Sequence, residues 1–196
     1  MTENLDKISA EIGFLACDVL KETYNVFGKE VKTFKNFSEL KEKKSEVTNK
    51  IKEELKINDF NLTKEIFEKI IIENIEKIKN NKKQEEKFFK LKQNPPKFDA
   101  KELERVVTKA LGILIEDGAF AYTVWLESEG GDIHKVISIA SVKLLDKAGV
   151  TSKKESLREA ILEISKNIQK TLLARQLLER MLVYARYRAK ALQKGD

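Results

Sequence analysis

The sequence has few of the residues that most catalytic and metal sites need. Among 196 residues there is one cysteine, Cys17, and one histidine, His134. A single cysteine excludes an intrachain disulfide, and a single histidine excludes a two-histidine metal site within one chain. No glycine-rich loop for phosphate is present either. We therefore expect that the protein is not an enzyme and holds no metal or cofactor.

Helix breakers and long apolar runs are also scarce. The only two prolines, Pro95 and Pro96, are adjacent, and there are eight glycines. No apolar run approaches the roughly 20 residues of a membrane span. The first residues lack the basic start and apolar run of a signal peptide. These absences predict a soluble cytoplasmic protein that does not contact a membrane.

The residues that are abundant favour helices. Ile, Leu, Lys and Glu dominate, and charged residues make up 36% of the chain. This composition predicts an all-α protein, a single compact helical bundle over residues 1–196. The 38 basic and 32 acidic residues leave a net charge of +6. Because acidic and basic residues are so evenly mixed, this composition favours a protein with a local basic patch over a histone-like binder of nucleic acid.

Apolar spacing and capping signals predict most of the helices. The first covers about residues 5–24, with Gly28 as an end signal, and Asp99 caps a helix that stops at Asp117–Gly118. Further helices are expected over 119–127 and 133–147, the latter capped by Asp132. A capping box over Ser152–Glu155 opens a helix through Ile164, which continues or bends at 165–167 into the terminal helix.

Residues 29–98 differ from the rest because they are rich in Lys, Glu, Asn and Ile. They predict an exposed helix over 37–55 and an amphipathic one over 66–78, capped by Asn61 or Thr63. The lysine-rich segment 79–92 contains Phe88 and Phe89. It is either a solvated tether or a supplementary nucleic-acid contact. The two prolines end the region.

The terminal helix, about 170–192, has two different faces. Its apolar stripe requires a partner helix and consists of Ala174, Leu177, Leu178, Met181, Leu182, Ala185, Ala189 and Leu192. The basic residues on the other side, which we predict to bind nucleic acid, are Arg175, Arg180, Arg186, Lys190 and Lys194, with Tyr187 among them. The alternative is that these cations only complement the helix dipole or coat a solvated face.

Two further groups have weaker chemical signals. The carboxylates Glu127, Glu129 and Asp132 surround Gly130–Gly131, but their spacing matches no calcium loop, so we expect no metal there. The aromatic residues Phe120, Tyr122 and Trp125 are expected in the core rather than around a ligand. His134, on the first turn of a helix, is expected to be a surface or boundary residue.

Three segments together resemble a known family. They are Ala10–Glu22, then Ala110–Gly118 running into Thr123-Val124-Trp125-Leu126, and the basic, aromatic helix Gln176–Lys190. They are similar to the small all-helical subunit of the type III-B (Cmr) CRISPR effector complex. The resemblance covers about residues 8–24 and 103–192. Residues 29–98 have no counterpart, so they are expected to be an insertion or extension.

The resemblance implies a non-catalytic role in antiviral defence. Small subunits of this family stack in several copies beside the backbone and large subunits of the ribonucleoprotein. There they stabilise the duplex of guide RNA and target RNA. The expected partners are therefore both RNAs, copies of the chain and those subunits. The alternatives are a small subunit of another CRISPR effector subtype, and a helical protein-interaction scaffold without nucleic-acid contact.

Overall fold

All regular structure in the described part of the chain is helical. The computed structural model describes residues 4–34, 84–95 and 97–194, with single positions between residues 39 and 69. Within these ranges there is no strand, which confirms the predicted all-α class. None of the described helices is long and apolar enough to cross a membrane.

The helices are numbered along the described residues. Their bounds are α1 Leu5–Thr33, α2 Gln84–Gln93, α3 Ala100–Glu116, α4 Gly118–Glu129, α5 Asp132–Lys147, α6 Leu157–Ile164 and α7 Ile168–Gln193.

The chain divides into two compact units. The first comprises Met1–Cys17 and Asp99–Asp196, and the second comprises Asp18–Phe98. The second unit ends at the residue that was predicted to end the inserted segment. That residues 29–98 are an insertion into one helical domain stays a prediction.

The core of the first unit is the interface between α7 and α3, the most extensive contact between two of its helices. All eight residues of the predicted apolar stripe on α7 are buried. From α3, buried side chains include Leu103, Val107 and Leu114. Complete burial of each such large aliphatic side chain contributes about 1.5–3 kcal/mol. Helices α4, α5 and α6 also contact one another in this unit.

Helix α1 approaches α7 closely at Gly13. A Cβ atom placed on Gly13 would lie 2.5 Å from the Met181 carbonyl oxygen. One turn further along, the buried Cys17 thiol donates to the Ala185 carbonyl oxygen at 3.5 Å. Because backbone rather than a flexible side chain lies opposite Gly13, only glycine fits this contact.

Several predicted helix ends are confirmed. The Asp99 side chain accepts hydrogen bonds from the backbone N–H groups of Lys101 and Glu102, at 2.9 and 3.1 Å. Gly118 has the left-handed φ of +88° that its turn requires. The predicted bend at 165–167 separates α6 from α7, and Asn167 caps α7 by accepting from the Lys170 N–H at 3.1 Å.

Other predicted boundaries are wrong. Helix α1 continues past Gly28 to Thr33, because glycine alone does not end a helix that has packing partners: Pro95 lies 3.7 Å from the Cβ position of Gly28. Asp132 is the first residue of α5, and Gly131 is its cap.

The capping box predicted at Ser152 is also wrong. Ser156 caps α6 instead, since its hydroxyl accepts from the Glu159 N–H at 3.2 Å. Ser156 and Glu159 repeat the same sequence signal four residues later. This second signal coincides with the start of the apolar positions that are buried, Leu157, Ala160 and Ile161. The helices predicted over 37–55 and 66–78 lie largely outside the described residues.

The two glycines Gly13 and Gly112 give a matched pair of substitutions within helices. We expect Gly13→Ala to destabilise the protein by about 1–3 kcal/mol, because the new methyl group overlaps backbone of α7. Gly112→Ala should stabilise it by about 0.5–1 kcal/mol, since no atom lies within 4 Å of its Cβ position. Urea denaturation of both variants measures this, and equal free energies of unfolding would contradict the close contact.

Candidate nucleic-acid interface

The predicted cations of α7 have their partners within the chain on two different neighbouring helices. Arg175, Arg186 and Lys190 lie on the flank of α7 that faces α3, as their partners there show. Arg180 lies on the flank that faces α1, beside Asp6. Lys194 is the C-terminal cap residue of α7 and is exposed. That these five residues bind nucleic acid stays a prediction.

Arg175 is occupied by contacts within the protein. Its Nη2 donates to the Ile115 carbonyl oxygen at 2.8 Å, and its Nε donates to Glu179 at 2.8 Å. The last carbonyl groups of a helix lack partners within that helix, and a cation there also complements the helix dipole. Arg175 thus stabilises the C-terminal end of α3 against α7.

Arg180 belongs to a polar contact between α7 and α1. Its Nη1 lies 3.6 Å from the Asp6 carboxylate, which also accepts a hydrogen bond from the Tyr184 hydroxyl at 2.9 Å. The hydrogen bond to Asp6 raises the pKa of Tyr184. The Tyr184 ring also packs edge-on against Phe14, with ring centroids 5.8 Å apart.

Glu104 organises the opposite end of the α3–α7 interface. It accepts a hydrogen bond from Gln193 at 2.7 Å, and Lys190 Nζ lies 3.5 Å from it. The Gln193 hydrogen bond, followed by the charges of Lys190 and Arg186, holds the pKa of Glu104 below its ordinary value. The Nε of Arg186 is buried and has no hydrogen-bond partner among the described residues.

One further cation at this end was missed by sequence reasoning. Lys101 is exposed and directly follows Ala100, whose carbonyl oxygen accepts a hydrogen bond from Gln193 at 3.3 Å. Helical periodicity within α7 contains no information about which end of α3 lies beside it. We call Lys101, Arg186, Lys190 and Lys194 the terminal cationic cluster.

The terminal cationic cluster has an excess of positive charge. Lys190 and Arg186 act on the Glu104 carboxylate, and Lys101 and Lys194 directly follow the two residues, Ala100 and Gln193, that form a hydrogen bond at this end. Lys101, Lys190 and Lys194 are exposed, and the Tyr187 ring on the same helix is 63% exposed. Because exposed ion pairs contribute little to stability, an anion from outside can replace Glu104 as the partner of Lys190.

The aromatic group of α4 is only partly in the core. Tyr122 is fully buried, with its hydroxyl 2.8 Å from that of Ser141, and burial raises its pKa. Phe120 is instead 51% exposed, and Trp125 is half-buried. The expectation that all three lie in the core is wrong for Phe120, because it lies on the outer side of α4.

Trp125 lies among charged groups. Its indole N–H donates to Glu129 at 3.1 Å, and Lys109 Nζ is 5.2 Å from its ring centroid. Glu127 pairs with Arg158 of α6. Glu127 and Glu129 thus both have cationic or N–H partners. Within the described residues, no group of three His, Cys, Asp or Glu side chains is placed to hold a metal ion.

Comparison with protein families, curated proteins and solved structures finds no match for this chain.

His134 provides a pH-dependent signal near the single tryptophan. The two rings meet edge-to-face with centroids 4.9 Å apart. Burial, only partly offset by Glu129 and Glu102, lowers the pKa of His134 from 6.5. We expect acidification to quench Trp125 fluorescence with a midpoint below 6.5, since the imidazolium then forms beside the indole.

The free energy of unfolding should also depend on the titration of His134. The unfolded chain binds the proton at higher pH than the folded chain, so stability decreases as pH falls from the ordinary pKa to the lowered one. His134→Gln is the control and should abolish both transitions. A midpoint at or above 6.5, or an unchanged curve in the variant, would contradict the partial burial of His134.

Proposed function

We propose that this chain is a non-catalytic small subunit of a type III CRISPR ribonucleoprotein effector. In this role it stabilises the duplex of guide RNA and target RNA through the terminal cationic cluster, in antiviral defence. Its other partners are copies of itself and the backbone and large subunits. The resemblance of three segments to that family supports the role. The single observation that carries the RNA contact is the excess of cations around Glu104.

The contact is to the phosphate backbone and not to the bases. Lysine presents a point charge that attracts phosphate without reading sequence, and guide–target pairing already supplies sequence recognition. Lys101, Lys190 and Lys194 are the exposed members that approach phosphates. Arg186 is half-buried and adds positive electrostatic potential to that of the exposed lysines.

The proposal revises the set of RNA-binding residues predicted from sequence. It retains Arg186, Lys190 and Lys194 and adds Lys101. Arg175 is assigned to stabilising the end of α3, because it already donates to a carbonyl oxygen and a carboxylate. Arg180 is left out because it lies away from the other members, on the flank of α7 beside Asp6 of α1.

The rigidity of α7 supports this use. The apolar stripe of α7 is buried along the whole helix, so the backbone that carries Lys190 is fixed in the first unit. Little conformational freedom is then lost on binding, apart from that of the lysine side chains themselves. A few phosphate contacts per copy give weak binding, and stacking of several copies adds avidity.

A protein-interaction scaffold is the second candidate function. Large apolar side chains remain exposed on several helices of the first unit. They include Ile115, Phe120, Val124, Leu162, Ile168 and Leu172. Extensive exposed apolar surface is typical of sites that bind other proteins. In the proposed assembly these residues contact neighbouring subunits, whereas in a pure scaffold they are the only functional surface.

The proposal predicts the salt dependence of RNA binding. The triple variant Lys101→Ala, Lys190→Ala, Lys194→Ala should bind a guide–target duplex more weakly than the wild-type chain. The slope of log affinity against log salt should fall by about one for each phosphate that the variant no longer neutralises. Fluorescence anisotropy over a salt series measures both quantities.

The matched control removes three positive charges at positions outside the terminal cationic cluster. Lys153, Lys166 and Lys170 are exposed lysines of the first unit outside the terminal cationic cluster. Their replacement by alanine should leave the slope nearly unchanged. An equal loss of affinity in both triple variants would indicate nonspecific attraction by net charge. Absence of wild-type binding even at low salt would favour the scaffold.

A further inference from the structure

One carboxylate of α3 interacts with three side chains on one flank of α7. Glu104 accepts a hydrogen bond from the Gln193 amide at 2.7 Å and lies 3.5 Å from Lys190 Nζ. The charge of Arg186 also acts on this carboxylate. The three α7 residues recur at intervals of four and three, so their side chains lie along the same side of the helix. Glu104 thus neutralises part of a row of N–H donors.

The Gln193 amide lies between two acceptors of α3. Its Nε2 donates to the Ala100 carbonyl oxygen at 3.3 Å as well as to Glu104. A side-chain amide nitrogen has two hydrogens, so it can make both contacts at once. The backbone contact at Ala100 holds the amide in place, and the second hydrogen is directed to the Glu104 carboxylate.

The Glu104 carboxylate can be displaced from these donors. The Lys190 and Glu104 side chains are 46% and 25% exposed, and an ion pair that solvent reaches contributes little to stability. The Nε of Arg186 is buried and has no hydrogen-bond partner among the described residues, so this cation is not saturated either. Another oxygen anion can therefore take the place of Glu104 without breaking a buried ion pair.

We propose that Glu104 occupies the place of a phosphate group and competes with the phosphates of bound RNA for Lys190 and Gln193. A carboxylate and a phosphate offer similar oxygen acceptors to ammonium and amide N–H donors. When a phosphate enters, the Glu104 side chain turns away. The Gln193 amide, still bonded to Ala100, then donates its second hydrogen to a phosphate oxygen.

This inference rests on the function proposed above and deepens it at the same site. It adds Gln193 as an uncharged phosphate-binding residue, and it makes Glu104 an internal competitor that lowers the affinity of each copy for RNA. The terminal cationic cluster would therefore bind phosphate more tightly without Glu104 than with it.

The test measures binding of the full chain to a guide–target duplex by fluorescence anisotropy over a salt series. Glu104→Gln keeps the shape of the side chain, but a neutral amide holds the α7 donors less strongly than a carboxylate. We expect about two- to fivefold tighter binding at low salt, and a slope of log affinity against log salt that is steeper by up to about one. Glu127→Gln is the matched control, because Glu127 also pairs with a cation, Arg158, outside the cluster. It should change the affinity less.

Replacement of Gln193 separates competition for shared donors from repulsion through space. If Glu104 only repels phosphate, the gain in affinity of Glu104→Gln should persist when Gln193→Ala is added. If the carboxylate and the phosphate share the amide, the double variant should lose most of that gain, because the phosphate then lacks an N–H donor. A gain that is unchanged in the double variant would overturn the proposal.

The remaining outcomes distinguish this proposal from the proposed function. Equal affinities of the wild type, Glu104→Gln and Glu127→Gln would overturn only the role of Glu104, provided that the triple variant of the terminal cationic cluster still loses duplex binding. Inorganic pyrophosphate is the second probe. If Glu104→Gln binds it more tightly while no variant binds the duplex, the competition with phosphate stands and the RNA contact is overturned. A gain with polyglutamate alone would assign the donors to an acidic protein partner and overturn both proposals.

Discussion

Burial of the apolar stripe of α7 is the constraint on which the first unit depends. The stripe is in contact with α3 over most of its length, and α1 approaches the same helix at Gly13. Alanine and glycine at these contacts let the helix axes come close, so the backbone of α7 cannot move without opening the core. Because the stripe is satisfied within the chain, partners of α7 must use its flanks and its end.

The two flanks have different chemistry. On one side, Arg180 meets a carboxylate of α1, and on the other, Arg175 meets a carbonyl oxygen of α3. Arg175 already donates to two acceptors and is therefore poorly available to a ligand, whereas Arg180 forms an exposed ion pair that contributes little to stability. At the C-terminal end of α7 the situation differs, because two cations act on the single carboxylate of Glu104 and the lysines are exposed. Helix packing thus decides which basic residues are structural and which can bind phosphate.

The fold could largely be predicted from the sequence because its determinants are local. The period of the α7 stripe identified every buried residue of that helix, and the predicted cap Asp99 accepts hydrogen bonds from the backbone two and three residues away. The predictions failed where contacts with a segment that is distant in the sequence determine the local structure. Helix α1 passes Gly28 where Pro95 packs against it, and the partners of Arg180 on α1 and of Arg175 on α3 could not be foreseen. A helical wheel of one helix contains no information about its contacts with other segments.

Lysine footprinting by acetylation, with and without the guide–target duplex, tests the role of the terminal cationic cluster most directly. It reports on each lysine separately in the unmodified sequence, so no variant has to fold. We expect the duplex to protect Lys101, Lys190 and Lys194 while Lys153, Lys166 and Lys170 react as before. Uniform protection of all six, or protection of only the second set, would show that the duplex does not bind at this end of the α3–α7 interface.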